Sequence, residues 1–208
     1  MDRSICLLVE GGLDEAVGRR ICSMKGLSVV TVFGKRGAGY IRAKIDGFNG
    51  LAQGTRILAL ADLMDMHGKC PPEVRRELLP YPSAGMCFRL AEQEVESWLL
   101  GDRIGLSRRL RTSVAKFPAR PDELANPKQA LVSLARESRS PRIRALMVPA
   151  PGTTASEGPG YTAELQDYVS NDWDVAAAAA NSPSLARCLR AIEERFNDSV
   201  EKQSGGVA

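Results

Sequence analysis

The amino-acid sequence predicts an α/β fold, in which a parallel sheet of about four strands is flanked by helices and followed by an all-helical C-terminal half. Up to Asp102, short apolar runs alternate with segments of helical periodicity, a pattern typical of βαβ units. Beyond Asp102, the segments with helical periodicity or capping include none that alternates as a strand does. We therefore expect an α/β domain over residues 1–102, a helical region over 103–200 packed on it, and a tail over 201–208.

Four short apolar runs predict the strands. They are Ile5–Val9, Ser28–Phe33, Ile57–Ala61 and Met86–Ala91. The intervening segments 13–24, 40–47 and 71–79 have the apolar spacing or the proline start of helices. Right-handed crossovers bring the carboxyl ends of parallel strands to one edge of the sheet, where ligands bind in open α/β folds.

Acidic residues follow three of the four predicted strands. Glu10 ends the first strand, Asp62 and Asp65 follow the third, and Glu94 and Glu96 follow the fourth. Carboxylates that converge repel one another, so such a cluster either takes up protons or binds a hard cation. An all-oxygen set with one histidine in the chain indicates Mg²⁺ or Mn²⁺ rather than zinc. The alternative is that these acids cap helices or interact with helix dipoles.

Two loops carry cations towards the same predicted edge. Gly34 to Gly39 follows the second strand and contains Lys35 and Arg36, and Lys69 follows the third strand. The loop lacks the G-x-x-x-x-G-K-[ST] spacing of a P-loop, which argues against a nucleotide phosphotransferase. We expect Lys35 or Lys69 to neutralise a phosphate, with Glu10 and Asp62 as the catalytic carboxylates, and Arg36 to bind nucleic acid.

Charge is distributed unevenly along the second half of the chain. Residues 103–144 contain eleven basic and three acidic residues, for a net charge of +8, whereas residues 157–201 contain nine acidic and three basic residues. A basic stretch of this density is typical of a nucleic-acid-binding surface. The candidates are Arg108, Arg109, Arg111 and Lys128. The alternative is a solvated helical face or a contact with an acidic partner.

Composition indicates a globular protein that does not span a membrane. Hydrophobic residues make up 44% of the chain and charged residues 25%, and no apolar run approaches the length of a membrane span. Met1 to Ser4 lead straight into a strand-like run, so we expect no secretion signal. The five cysteines form no C-x-x-C pair. These features predict a cytoplasmic location.

Three stretches together resemble a known family. They are Val9-Glu10-Gly11, the strand end that contains Asp62, and Glu94-Val-Glu96-Ser-Trp98-Leu-Leu-Gly-Asp102. The last resembles the E-[IV]-E-x-W-L-L-x-D signature of the DUF4276 group of TOPRIM-like proteins, and the likeness extends over nearly the whole chain.

The resemblance implies a TOPRIM-like fold and a Mg²⁺- or Mn²⁺-dependent nuclease, encoded beside an ATPase partner in bacterial anti-phage, abortive-infection systems. Glu10 matches the TOPRIM glutamate and Asp62 the first aspartate of its acidic pair. The chain departs from the usual D-x-D, because Met64 stands at the second position and Asp65 one residue later. The second ligand is therefore Asp65, or else Glu94 and Glu96.

The sequence is compatible with two classes of function. The first is a metal-dependent nuclease that acts on DNA or RNA, in an oligomer or hetero-complex. The second is a binding or regulatory subunit that has kept the fold and lost catalytic strength, as the altered acidic pair would permit.

Overall fold

Four strands form one parallel sheet, as the sequence predicts. The computed structural model describes residues 3–63 and 70–196. Its strands are β1 (Ser4–Val9), β2 (Ser28–Gly34), β3 (Ile57–Asp62) and β4 (Met86–Ala91). They lie in the order β2-β1-β3-β4, so β1 and β3 occupy the centre of the sheet. The predicted α/β class, with a parallel sheet and a helix-rich second half, is confirmed.

Burial distinguishes the central strands from the edge. Ile5, Leu7 and Leu8 of β1 are 0% exposed, as is Ile57 of β3, because both faces of these strands are covered. Val30 of β2 is 60% exposed. The apolar runs Ile5–Val9 and Ile57–Ala61 therefore predicted the strands that the sheet buries most completely.

Ten helices account for most of the remaining described residues. They are α1 (Gly12–Met24), α2 (Ala38–Leu51), α3 (Pro71–Leu78), α4 (Glu96–Gly101), α5 (Arg103–Leu110), α6 (Pro127–Arg136), α7 (Pro141–Met147), α8 (Tyr161–Asn171), α9 (Val175–Asn181) and α10 (Pro183–Phe196). Short 3-10 turns occur at Val114–Lys116 and Pro121–Glu123. Helix α2 is longer than the predicted 40–47, because the apolar side chains of Tyr40, Ile41, Ile45 and Phe48 continue one packed face along it.

The chain divides into two compact units. We call the described residues 3–90 and 186–196 the sheet unit, and residues 91–185 the helical unit. The last part of α10 therefore belongs to the same unit as the sheet. The predicted domain boundary after residue 102 stays a prediction.

Within residues 3–63 and 70–196, no helix is long and apolar enough to cross a membrane. Asp65 and Lys69, two of the predicted site residues, lie outside the described residues, as does the predicted tail 201–208.

Candidate active site

Glu10 and Asp62 meet at the carboxyl ends of neighbouring central strands. Strand β1 pairs in parallel with β3, with Leu8 opposite Ala59. Glu10 is the first residue after β1 and is 9% exposed, and Asp62 is the last residue of β3. The main-chain N–H of Asp62 donates a hydrogen bond of 2.9 Å to Oε1 of Glu10. The convergence of these two residues, predicted from the apolar runs that precede them, is therefore a feature of the fold.

The loop after β2 is attached to the same edge. The N–H of Lys35 donates to the Val9 carbonyl at 2.8 Å, and the N–H of Gly37 donates to the Glu10 carbonyl at 3.0 Å. Gly34 has a φ of 91°, and a Cβ there would lie 2.1 Å from the Val9 oxygen. Only glycine fits that approach. The loop therefore presents Lys35 and Arg36 beside Glu10.

The side chain of Lys35 is already paired. Its Nζ lies 2.9 Å from Oε2 of Glu15, whose other oxygen accepts from Arg19 at 2.9 Å. Burial raises the pKa of Glu15, but hydrogen bonds from Lys35 and Arg19 outweigh burial and hold that pKa below its ordinary value. Both cations remain accessible, since 51% of the Lys35 side chain and 49% of the Arg19 side chain are exposed. A phosphate would have to compete with Glu15 for Lys35.

Arg36 is exposed, and its guanidinium lies 5.4 Å from the centre of the Tyr40 ring. This cation–π contact holds the arginine at the start of α2 without neutralising it. Arg36 is therefore placed as a cation that a phosphate backbone could reach.

Asp14 is a buried carboxylate of this region that the sequence analysis did not single out. It is 6% exposed, and its Oδ2 accepts from the N–H of Gly11 at 2.9 Å. The contact fixes the turn from β1 into α1 directly after Glu10. Its position in the first helical turn was a usable signal, because acidic side chains there commonly bind the preceding N–H groups.

Glu94 and Glu96 form a second acidic pair, in the helical unit. They are 6% and 4% exposed. Nζ of Lys128 lies 3.9 Å from Glu94 and 4.0 Å from Glu96, and the N–H of Lys128 donates to Glu94 at 3.0 Å. An ammonium group thus supplies the counter-charge that a buried carboxylate pair requires. This arrangement favours a structural role for both acids over the predicted metal ligation, and it engages Lys128 as well.

Tyr161 completes that pair. Its hydroxyl donates to Oε1 of Glu96 at 3.3 Å. Burial, followed by the charges of Glu96 and Glu94, raises the pKa of Tyr161 far above its ordinary value, so the hydroxyl stays a donor. The sequence offered no sign of this contact, because the two residues are separated by most of the helical unit.

Arg108 and Arg111 are exposed, whereas Arg109 is partly buried and paired with carboxylates. Its Nε lies 2.7 Å from Glu164 and its Nη1 lies 3.2 Å from Asp172, and its Nη2 contacts Asp167. Glu164 also pairs with Arg142 at 3.0 Å. The acids of the 157–201 segment thus neutralise part of the basic 103–144 segment. Arg109 is therefore occupied by carboxylates and is not a candidate for contact with nucleic acid.

Glu10 and Asp62 are the candidate donors for a magnesium ion at the sheet edge. Mg²⁺ commonly uses one or two carboxylates and completes its shell with water and substrate phosphates. Glu10 and Asp62 supply two carboxylates. No group of three or more His, Cys, Asp or Glu side chains within residues 3–63 and 70–196 could hold a metal ion. An ion at this edge would therefore have two protein carboxylates at most among the described residues, and water and substrate oxygens would complete its shell.

No family model, curated protein or solved structure matches this chain. The resemblance to the DUF4276 group of TOPRIM-like proteins therefore stays a prediction.

Proposed function

We propose that this protein is a metal-dependent nuclease that hydrolyses phosphodiester bonds of DNA or RNA. The observation that supports the proposal is the hydrogen bond from Asp62 to Glu10 at the carboxyl ends of β1 and β3. That edge is where ligands bind in open parallel sheets. Glu10 and Asp62 would hold Mg²⁺ or Mn²⁺.

Each residue at the edge has a physical role in this proposal. The Asp62 N–H orients the Glu10 carboxylate, and the Gly37 N–H fixes the main chain of Glu10. The ammonium group of Lys35 would leave its ion pair with Glu15 and bind a phosphate oxygen of the substrate. Arg36 would bind a neighbouring phosphate. When bound, a divalent ion would stabilise the attacking and leaving oxygens of the reaction.

Exposed cations of the helical unit would contribute to substrate affinity. Arg108 and Arg111 are both exposed on or directly after α5. Contacts of this kind bind the phosphate backbone and carry no base sequence information. The proposed substrate is therefore bound through its backbone.

The biological setting rests on the resemblance alone. By that resemblance, the nuclease would be the cytoplasmic effector subunit of a bacterial anti-phage system and would work with an ATPase partner.

A second candidate is a TOPRIM-like binding or regulatory subunit with weakened catalysis. Met64 in place of a second aspartate favours it. Such a subunit would bind nucleic acid and leave it intact.

Cleavage assays separate the two candidates. Purified protein would be incubated with single- and double-stranded DNA and RNA in Mg²⁺ or Mn²⁺, alone and with its genomic neighbour. We expect Glu10→Gln and Asp62→Asn each to reduce cleavage by about 100-fold or more without unfolding the protein, because the carboxylates act on the ion and not on the core. Asp46→Asn, on the exposed face of α2, is the matched control and should cleave as the wild type does.

Two outcomes would contradict the nuclease proposal. One is binding of nucleic acid with no cleavage under any metal condition, which supports the binding subunit. The other is cleavage that persists unchanged in Glu10→Gln and Asp62→Asn.

A further inference from the structure

A cavity of about 730 Å³ lies within the sheet unit, and neither Glu10 nor Asp62 lines it. Its walls come from α3, from the edge strand β4 and from the last part of α10. Volumes of this order are typical of sites for small molecules. The cavity therefore has the size of a ligand site that the proposed nuclease chemistry does not use.

Arginines dominate the charge of the cavity. Arg75 and Arg76 come from α3, Arg89 comes from β4 and Arg195 from α10, whereas Glu194 is the acid among the lining residues. Among the described residues, none of these four guanidiniums forms an ion pair with a carboxylate. Four cations against one carboxylate give the cavity a net positive charge that selects for anions.

Two of the arginines have unmet hydrogen-bonding capacity. The Nε atoms of Arg75 and Arg89 are buried and have no hydrogen-bond partner among the described residues. Buried donors are normally paired, and an unpaired one costs folding free energy. Neither guanidinium is therefore fully satisfied by acceptors from the described part of the chain.

Electrostatic repulsion between Arg75 and Arg89 also favours an anion in the cavity. Burial lowers the pKa of Arg75, and the charge of Arg89 lowers it further. Like charges held together in a partly buried site are relieved by an anion between them. Guanidinium groups form paired hydrogen bonds with phosphate in particular.

The rest of the cavity wall is apolar. Leu79, Pro80 and Pro82 lie at the end of α3 and directly after it, and Phe88 lies on β4. The side chains of such a wall offer no hydrogen bonds and favour an apolar or aromatic group on the ligand. The ligand indicated by the cavity therefore combines an anionic end with a ring.

We propose that this cavity binds a phosphate ester of mononucleotide size, with its phosphates on Arg75, Arg76, Arg89 and Arg195 and its ring against Leu79, Pro80, Pro82 and Phe88. The site is separate from the proposed nuclease site and does not depend on it.

Calorimetric titration and thermal unfolding with AMP, ADP, ATP and inorganic phosphate test the proposal. We expect at least one nucleotide to bind and to raise the melting temperature, with at least 10-fold higher affinity than inorganic phosphate. Arg89→Met and Arg75→Met should each weaken nucleotide binding by 10-fold or more. Arg190→Met is the matched control, because Arg190 is an exposed arginine of α10 that does not line the cavity.

Substitution of two exposed arginines tests binding without changing the stability of the fold. Arg76→Met and Arg195→Met should also weaken nucleotide binding while leaving the melting temperature without ligand unchanged. The proposal would be overturned if none of the nucleotides bound at a concentration of about 10 mM. Equal affinity for inorganic phosphate would also overturn it, as would wild-type nucleotide affinity in Arg89→Met, Arg76→Met and Arg195→Met.

Discussion

Asp102, the last residue of the Glu94–Asp102 motif, joins three parts of the helical unit. It is 2% exposed. Its Oδ1 accepts from the N–H of Gly105 at 2.9 Å, and its Oδ2 accepts from the Tyr168 hydroxyl at 2.7 Å and from the N–H of Asp174 at 3.1 Å. The motif residue Trp98 is likewise structural, since it is 0% exposed and its indole N–H donates to Ser184 at 2.7 Å.

We expect Asp102→Ala to lower the free energy of unfolding by about 3 kcal/mol, because the buried Tyr168 hydroxyl and two part-buried N–H groups lose their acceptor, and a buried donor without an acceptor costs about 1–3 kcal/mol. Urea denaturation followed by circular dichroism measures the change. Asp102→Asn keeps one oxygen and should lose less. A wild-type midpoint for Asp102→Ala would show that these three hydrogen bonds contribute little.

The five cysteines differ sharply in their surroundings. Cys70 is exposed, whereas Cys6, Cys22, Cys87 and Cys188 are buried. Burial raises the pKa of Cys22 to about 12 and that of Cys87 to about 11, and it also raises the pKa of Cys188. The thiolate is the reactive form, so these three thiols stay protonated and inert at neutral pH.

A thiol-reactive dye at pH 8 should therefore label Cys70 alone in the native protein and all five cysteines after unfolding. Raising the pH to about 9 should still leave Cys22, Cys87 and Cys188 unlabelled, because that pH lies below their raised pKa values. Mass spectrometry of the labelled protein counts the sites. Rapid labelling of Cys22, Cys87 or Cys188 in the native protein would show that these thiols are not buried in solution.

At the scale of elements, helices α5 and α8 are held together by charge. Arg109 of α5 contacts Glu164 and Asp167 of α8, together with Asp172 directly after it. Glu164 is 5% exposed, and it pairs both with Arg109 and with Arg142 of α7. Breaking one partner of a buried ion pair is costly because the other charge remains.

We expect Arg109→Met to lower the free energy of unfolding by about 2–4 kcal/mol, while nucleic-acid affinity per folded molecule stays unchanged. Arg108→Met and Arg111→Gln should instead affect nucleic-acid binding and leave stability almost unchanged. Each should change stability by less than about 0.5 kcal/mol, and each should reduce the salt dependence of nucleic-acid binding by about one unit of slope. Chemical denaturation and binding titrations at several salt concentrations measure both quantities. Equal effects of all three variants on binding would contradict the distinction between a structural Arg109 and a nucleic-acid-binding Arg108 and Arg111.

Helices α4 and α9 meet through small residues instead. A Cβ on Gly101 would lie 2.6 Å from the carbonyl oxygen of Ala178, and Asn181 donates to the Gly101 carbonyl at 3.0 Å. The alanine run of α9 is thus explained by close packing and needs no ligand.

The sequence predicted the elements better than the contacts between them. The apolar runs and the acids that end them were local signals, and they located β1, β3, Glu10 and Asp62. The partners of Arg109 lie more than fifty residues along the chain, and no local pattern specifies such pairs. The eleven basic residues of 103–144 therefore suggested a larger nucleic-acid surface than their paired side chains leave available.

At the scale of the whole molecule, two groups of carboxylates have different surroundings. Glu94 and Glu96 have Lys128 as a nearby cation. Glu10 and Asp62 instead stand at the sheet edge, where the main chain of Asp62 and the loop after β2 orient Glu10. In the proposed function, Glu10 and Asp62 would hold the divalent ion.

Titration of the protein with Mn²⁺, followed by the loss of the electron paramagnetic resonance signal of free Mn²⁺, tests that assignment most directly. We predict that the wild type and Asp46→Asn bind Mn²⁺ alike, and that Glu10→Gln and Asp62→Asn each bind it at least 10-fold more weakly, with unchanged circular dichroism. Undiminished Mn²⁺ binding in both Glu10→Gln and Asp62→Asn would contradict it.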